Sequence, residues 1–150
     1  KAQKQIYQIV LNAQKSAIAS IKPGEKVNTP HEIACDIISR ELTKLGIMKE
    51  LNNLSEFYMH KTGHWLGLDV HDVGEYEIDN DFRDFEEGMV TTVEPGIYIR
   101  KNDKIDPKYW NIGIRIEDDV LVTKDGNHVL SKSAVKEVKD IEYLMSQNIT

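Results

Sequence analysis

Two β-rich segments set the frame for this chain. Met89–Arg100 and Ile112–Thr123 carry Val, Ile, Thr and Tyr in partial alternation, and each interrupts its apolar run with a carboxylate. In TTVEPGIYI, Glu94 is followed by Pro95, whose missing N–H removes a ladder hydrogen bond. A charge buried there needs a partner. In GIRIEDD, the two-residue period of a strand puts Arg115 and Glu117 on one face and Ile114 and Ile116 on the other. The simpler account of that pair is an edge-strand salt bridge; the functional one is a metal-binding carboxylate with a guanidinium beside it. Asp125-Gly126 then offers a hairpin turn into His128–Leu130.

The chain before these segments is helical in pattern. Ile6, Val10, Ala13, Ala17 and Ile21 recur at three- and four-residue steps along residues 3 to 21, and Pro23-Gly24 ends the run. A second helix is expected from about Pro30 to Leu45, with Thr29 as cap, Glu32 completing a capping box and Gly46 as the stop. Lys136 to Met145 has moderate helical propensity. Helices followed by strands predict an α+β chain in one domain.

Composition limits the function classes. With 40% hydrophobic and 29% charged residues the chain is in the globular range. Nineteen basic against 25 acidic side chains give a net charge of -6, and no basic stretch interleaves with aromatics, so nucleic acid is a poor partner. No apolar run reaches the roughly 20 residues that span a bilayer, and Lys1 to Lys15 lacks the apolar core of a signal peptide. The chain does not begin with methionine, which suggests a fragment of a longer protein. The one cysteine, Cys35, lies among Ile33, Ala34, Ile37 and Ile38 at helical spacing and reads as a core thiol in a reducing, cytoplasmic compartment.

Two further segments are polar. KNDKIDPKYWN, between the β-rich segments, reads as a solvated loop, with a cover over a site or a subunit contact as the alternative. The acidic stretch from Glu75 to Glu87 includes Tyr76, Ile78, Phe82 and Phe85 and is expected to be partly anchored; it lacks the spacing of a calcium-binding EF-hand.

Three of the five histidines, His60, His64 and His71, fall within YMHKTGHWLGLDVHDVG, interrupted by glycines that argue against a regular helix. Alone this cluster is as readily structural as functional. Taken with Glu94 and Glu117, it offers one imidazole and two strand-borne carboxylates, a set suited to holding a metal that activates water for hydrolysis. His31 and His128 lack such company and read as solvated or capping residues.

In this order and at these separations, HKTGHWLGLDVHDVG, VEPGIYI and GIRIEDDVLVT resemble the pita-bread metallopeptidases, closest to their bacterial aminopeptidase P branch. The resemblance covers essentially the whole chain, including the KAQKQIYQIVLNAQKSAIASIKPG helix. It implies the C-terminal half of a pita-bread fold, with helices packed on a curved antiparallel sheet. It also implies a metal-dependent aminopeptidase that releases the residue preceding proline from a peptide, by attack of a water bridging two metal ions. His64, Glu94 and Glu117 match three of the five ligands of a centre that usually holds two Mn2+, with Zn2+ or Co2+ able to replace them. By the same resemblance Glu117 bridges the ions, Glu94 is also the proton shuttle, His60 and His71 contact the substrate and help stabilise the tetrahedral intermediate, Arg115 supports the Glu117 side, and Tyr98 is a further lining residue. The two aspartate ligands belong to upstream segments resembling Asp-x-Gly and Asp-x-Thr that precede Lys1. The isolated chain is therefore expected to bind little or no metal, to be inactive and to cover its exposed edge by homo-oligomerisation. Prolidase and a non-catalytic binding module of the same fold are the alternatives.

Overall fold

The computed structural model describes residues 1–49 and 51–147. Helix α1 (Ala2–Ser20) buries Ile6, Val10, Ala13 and Ala17 as its spacing predicts, together with Ile9, Leu11 and Gln14. It packs on α2 (Thr29–Lys44), which turns Ala34, Ile38 and Leu42 inward. The apolar core lies between these helices and the strands that follow, and α1 runs through both of its clusters. Gly46 takes φ +68 and closes α2, with Ile47 N–H donating to Leu42 O at 3.0 Å.

The expected capping box at the start of α2 does not form. Asn28 occupies the cap with helical backbone angles and no side-chain cap bond. Thr29 lies inside the helix, and its hydroxyl donates to Glu25 Oε1 at 2.9 Å, while Glu32 Oε1 accepts from Asn28 Nδ2 at 2.8 Å. The helix begins one residue earlier than expected because Lys26 O and Asn28 O already accept the backbone N–H groups of its first turn.

Each β-rich segment divides in two. After a short hairpin of β1 (Glu77–Ile78) and β2 (Asp81–Phe82), the chain forms β3 (Val90–Val93), β4 (Gly96–Ile99), β5 (Ile112–Arg115), β6 (Asp118–Thr123) and β7 (Gly126–Val129), all paired antiparallel. Strand β3 pairs with β6, and β4 with β5. The register is the same on both sides of the interruption, so Val90–Ile99 and Ile112–Leu121 form one long hairpin with a break at Glu94-Pro95 and Ile116-Glu117. Proline explains the break on the first strand. The last turn comes one residue early: Thr123 pairs with Gly126, leaving Lys124 and Asp125 as the turn.

The polar segment KNDKIDPKYWN is not a solvated loop. Ile105 and Tyr109 are buried in the main core, the Asp106 side chain accepts from Lys108 N–H, and Trp110 Nε1 donates to Ile105 O at 2.9 Å. Three apolar side chains in this stretch outweigh its polar remainder. The acidic stretch is anchored as expected through Phe85, which is 2% exposed. Helix α3 (Val138–Ser146) closes the described chain, and among the described residues no helix is long and apolar enough to cross a membrane.

Candidate metal centre

The break in the long hairpin brings two like charges together. By the shared register Glu94 and Glu117 stand opposite one another across the strand pair, where like charges disfavour the fold. Glu94 is 8% exposed and Glu117 is on the open side. Burial, followed by the carboxylates of Glu94 and Asp119, pushes the Glu117 carboxyl above its ordinary range; His64 and Arg115 oppose this.

His64 arrives on a segment that runs along β3 on the side away from β6. Glu94 N–H donates to Thr62 O at 2.6 Å, Thr92 N–H to His64 O at 2.9 Å and Leu66 N–H to Val90 O at 3.1 Å. Gly63 permits this approach, because a Cβ there would sit 2.0 Å from Thr92 O. His64 Nδ1 is 3.0 Å from Trp65 O, an acceptor for the Nδ1 proton, so in the neutral ring the Nε2 lone pair is available to a metal. That nitrogen is 3.3 Å from Glu94 Oε1. One ligand atom from each of His64, Glu94 and Glu117 lies within 4.8 Å of the other two. An imidazole with two carboxylates fits a divalent cation, and the oxygen majority favours a hard one.

The remaining residues surround this triad. Thr92 Oγ1 donates to Glu94 Oε1 at 3.2 Å, and Arg115 Nη1 is 3.3 Å from Glu94 Oε2. Arg115 Nε donates to Tyr98 OH at 2.8 Å, and Tyr98 OH is 2.9 Å from His60 Nε2. Since His60 Nδ1 is 2.8 Å from Lys61 O and carries the proton, the Tyr98 hydroxyl donates to Nε2. His71 is exposed, with its ring centroid 4.2 Å from that of His64. A cavity of about 400 Å³ touches the triad only at His64 and is lined also by Trp65, Phe82 and Phe85, so the donor chemistry, not this void, locates the centre.

The sequence of this chain matches metallopeptidase family M24 over residues 1–124. The chain belongs to that family. It is 46% identical to the Xaa-Pro aminopeptidase of Haemophilus influenzae and 44% identical to that of Escherichia coli, covering 96% and 97% of this chain but 35% and 34% of those proteins. It thus spans about a third of the curated relatives it matches. Its fold is that of the aminopeptidase PepP of Pseudomonas aeruginosa, with a TM-score of 0.93 and 45% identity over 97% of this chain and 35% of that one. It also matches aminopeptidase P from Escherichia coli with the inhibitor Pro-Leu, with a TM-score of 0.89 and 43% identity over 96% and 34% of the two chains. The α+β, pita-bread expectation holds. Membership of a metallopeptidase family implies a divalent metal, and the triad is where these residues fit one.

One expectation needs correction. His31 is neither solvated nor a cap: its Nδ1 is 2.9 Å from Thr62 Oγ1, which is 2.5 Å from Tyr58 OH, and burial lowers its pKa. It also stands 3.6 Å, through Nε2, from the half-buried Cys35 Sγ, an imidazole–thiol pair four residues apart along α2. Burial pushes the Cys35 thiol up, which disfavours the nucleophilic thiolate. His128 is exposed, as expected. Sequence reasoning passed over Thr92, although the two-residue period that put Arg115 beside Glu117 also puts Thr92 beside Glu94.

Proposed function

We propose that residues 1–150 are the C-terminal part of the catalytic domain of a metal-dependent aminopeptidase that releases the N-terminal residue preceding proline, and that the metal is manganese. The observation that carries this is the convergence of metal-ligating atoms of His64, Glu94 and Glu117, all within 4.8 Å of one another, in a chain 46% identical to an Xaa-Pro aminopeptidase. We assign His64, Glu94 and Glu117 as ligands, with two aspartates from a segment outside this sequence completing a site for two ions.

When bound, the ions would acidify a coordinated water and neutralise charge on the peptide carbonyl oxygen. Glu94 takes the proton of the attacking water and passes it to the departing proline nitrogen. Thr92 and Arg115 hold that carboxylate in place from either side. His60 and His71 flank the open face, where the peptide carbonyl approaches. A cytoplasmic location accords with the free thiol of Cys35.

Calorimetric titration of Mn2+ into this chain and into a version extended upstream, each paired with hydrolysis of a tripeptide with proline second, tests the proposal. Two-ion binding and turnover confined to the extended chain are expected. Turnover of an Xaa-Pro dipeptide alone would move the assignment to prolidase. A complete protein that binds no metal would replace the enzyme with a binding module.

A further inference from the structure

Behind the centre, three distant parts of the chain converge on one buried carboxylate. Asp118 heads β6 and follows Glu117, but its side chain turns to the opposite face, where it is 2% exposed. Its Oδ2 accepts from Gln14 Nε2 of α1 at 2.5 Å, and its Oδ1 accepts from Ser131 Oγ at 2.6 Å and Lys136 Nζ at 2.8 Å. Gln14 is itself 1% exposed.

The segment that supplies Ser131 and Lys136 is tied down independently. Ser131 Oγ accepts from Asp119 N–H at 3.0 Å, Leu130 N–H donates to Asp119 O at 2.8 Å, and Tyr7 OH donates to Lys136 O at 2.8 Å. Lys15 of α1 pairs with Glu137. Residues 130–137 thus run from β7 back to α1 and pass under the start of β6.

Position gives this network its consequence. Asp118 pairs with Val93 in the last rung before the ladder breaks, so fixing Asp118 fixes the backbone from which Glu94 and Glu117 both depart. The strand break removes the ladder bonds that would otherwise hold those two residues, and mutual repulsion drives them apart. The buried Asp118 carboxylate, paired with the partly exposed Lys136, resists that displacement from one residue away, since removing its partner leaves an uncompensated buried charge.

We infer that Asp118 is a positioning residue for the metal centre, and that Gln14, Ser131 and Lys136 hold it through a strap formed by residues 130–137. The inference rests on the metal-centre reading above. The strap holds the strand ends from which Glu94 and Glu117 depart, acting through the backbone without touching the ion.

The test is Mn2+ affinity by calorimetry in the complete protein, read beside the thermal midpoint of the metal-free form. Asp118→Asn and Lys136→Met are expected to weaken Mn2+ binding by about 10–100-fold, the range seen when groups supporting a metal ligand are removed. Lys136→Arg keeps the cation and is expected to restore most of the affinity. Ser131→Ala removes one bond of three and is expected to lower affinity severalfold even where the harsher variants fail to fold. Leu42→Ala, in the α1–α2 core, provides a variant of comparable instability and is expected to bind Mn2+ as the parent does. Parent-like affinity in Ser131→Ala and Lys136→Met, or an equal loss in Leu42→Ala, would overturn the strap alone. A parent protein that binds no Mn2+ would overturn the centre and the strap together.

Discussion

Val93 and Asp118 face each other in the final rung of the β3–β6 ladder, one residue before Glu94 and one residue after Glu117. Both candidate carboxylate ligands therefore leave the sheet at the same level on facing strands. A metal site built this way depends on the register of one hairpin, because a slip of one residue turns a carboxylate to the other face.

Removing one of the facing charges separates binding from stability. Glu117→Gln is expected to cost more Mn2+ affinity than the ~10–100-fold lost when a supporting residue is removed. The same variant is expected to raise the thermal midpoint of the metal-free protein, because burial and Glu94 disfavour the charge on Glu117. Calorimetry and thermal melts with and without a chelator read both effects. A lower midpoint in the metal-free variant would contradict this account.

Gly63 is where the histidine segment meets β3. Gly63→Ala drives a methyl group into Thr92 O and is expected to destabilise the fold by about 1–3 kcal/mol while displacing His64. Urea unfolding measures the first effect and metal titration the second. Unchanged values in both would show that the two backbones part readily.

The Tyr98 hydroxyl joins Arg115 to His60. Tyr98→Phe leaves both without that partner and is expected to lower kcat/KM on a proline-second tripeptide by roughly tenfold, with Mn2+ affinity little changed. Steady-state kinetics on the complete protein, with the metal titration as control, provide the check. An equal loss of metal affinity would place Tyr98 in support of the ligands instead.

His31 introduces a pH dependence of known sign. Its pKa is lowered from 6.5 by burial, then by the charges of Lys61 and His60. Below about pH 6.5 the unfolded chain binds a proton that the folded chain refuses, so this contribution is full above that pH and is lost as the pH falls toward the folded value. His31→Gln is expected to flatten the fall in urea midpoint between about pH 7.5 and 5 relative to the parent. An identical slope in both proteins would assign the dependence to other groups.

Much of the centre was legible because it follows local rules. The alternation that sets Arg115 and Glu117 apart from Ile114 and Ile116 is a property of any strand, and Pro95 marks the break beside Glu94. The start of α2 was misread because Thr29 and Glu32 fit a local pattern that the hydrogen bonds to Lys26 O and Asn28 O displaced. The segment KNDKIDPKYWN was misread because polarity was counted without knowing that Ile105 and Tyr109 had a core to enter.

The sequence by itself determined the helices with their buried faces, the β-rich segments, and the candidate ligands through their resemblance to a known family. Only the tertiary structure decided that Glu94 stands opposite Glu117, that Gly63 lets His64 lie against them, and that Gln14, Ser131 and Lys136 meet on Asp118. The physical reason is range. Periodicity and turn chemistry act between residues a few positions apart, whereas Gln14 and Asp118 are separated by 104 positions and meet only once the core between α1 and the hairpin has closed.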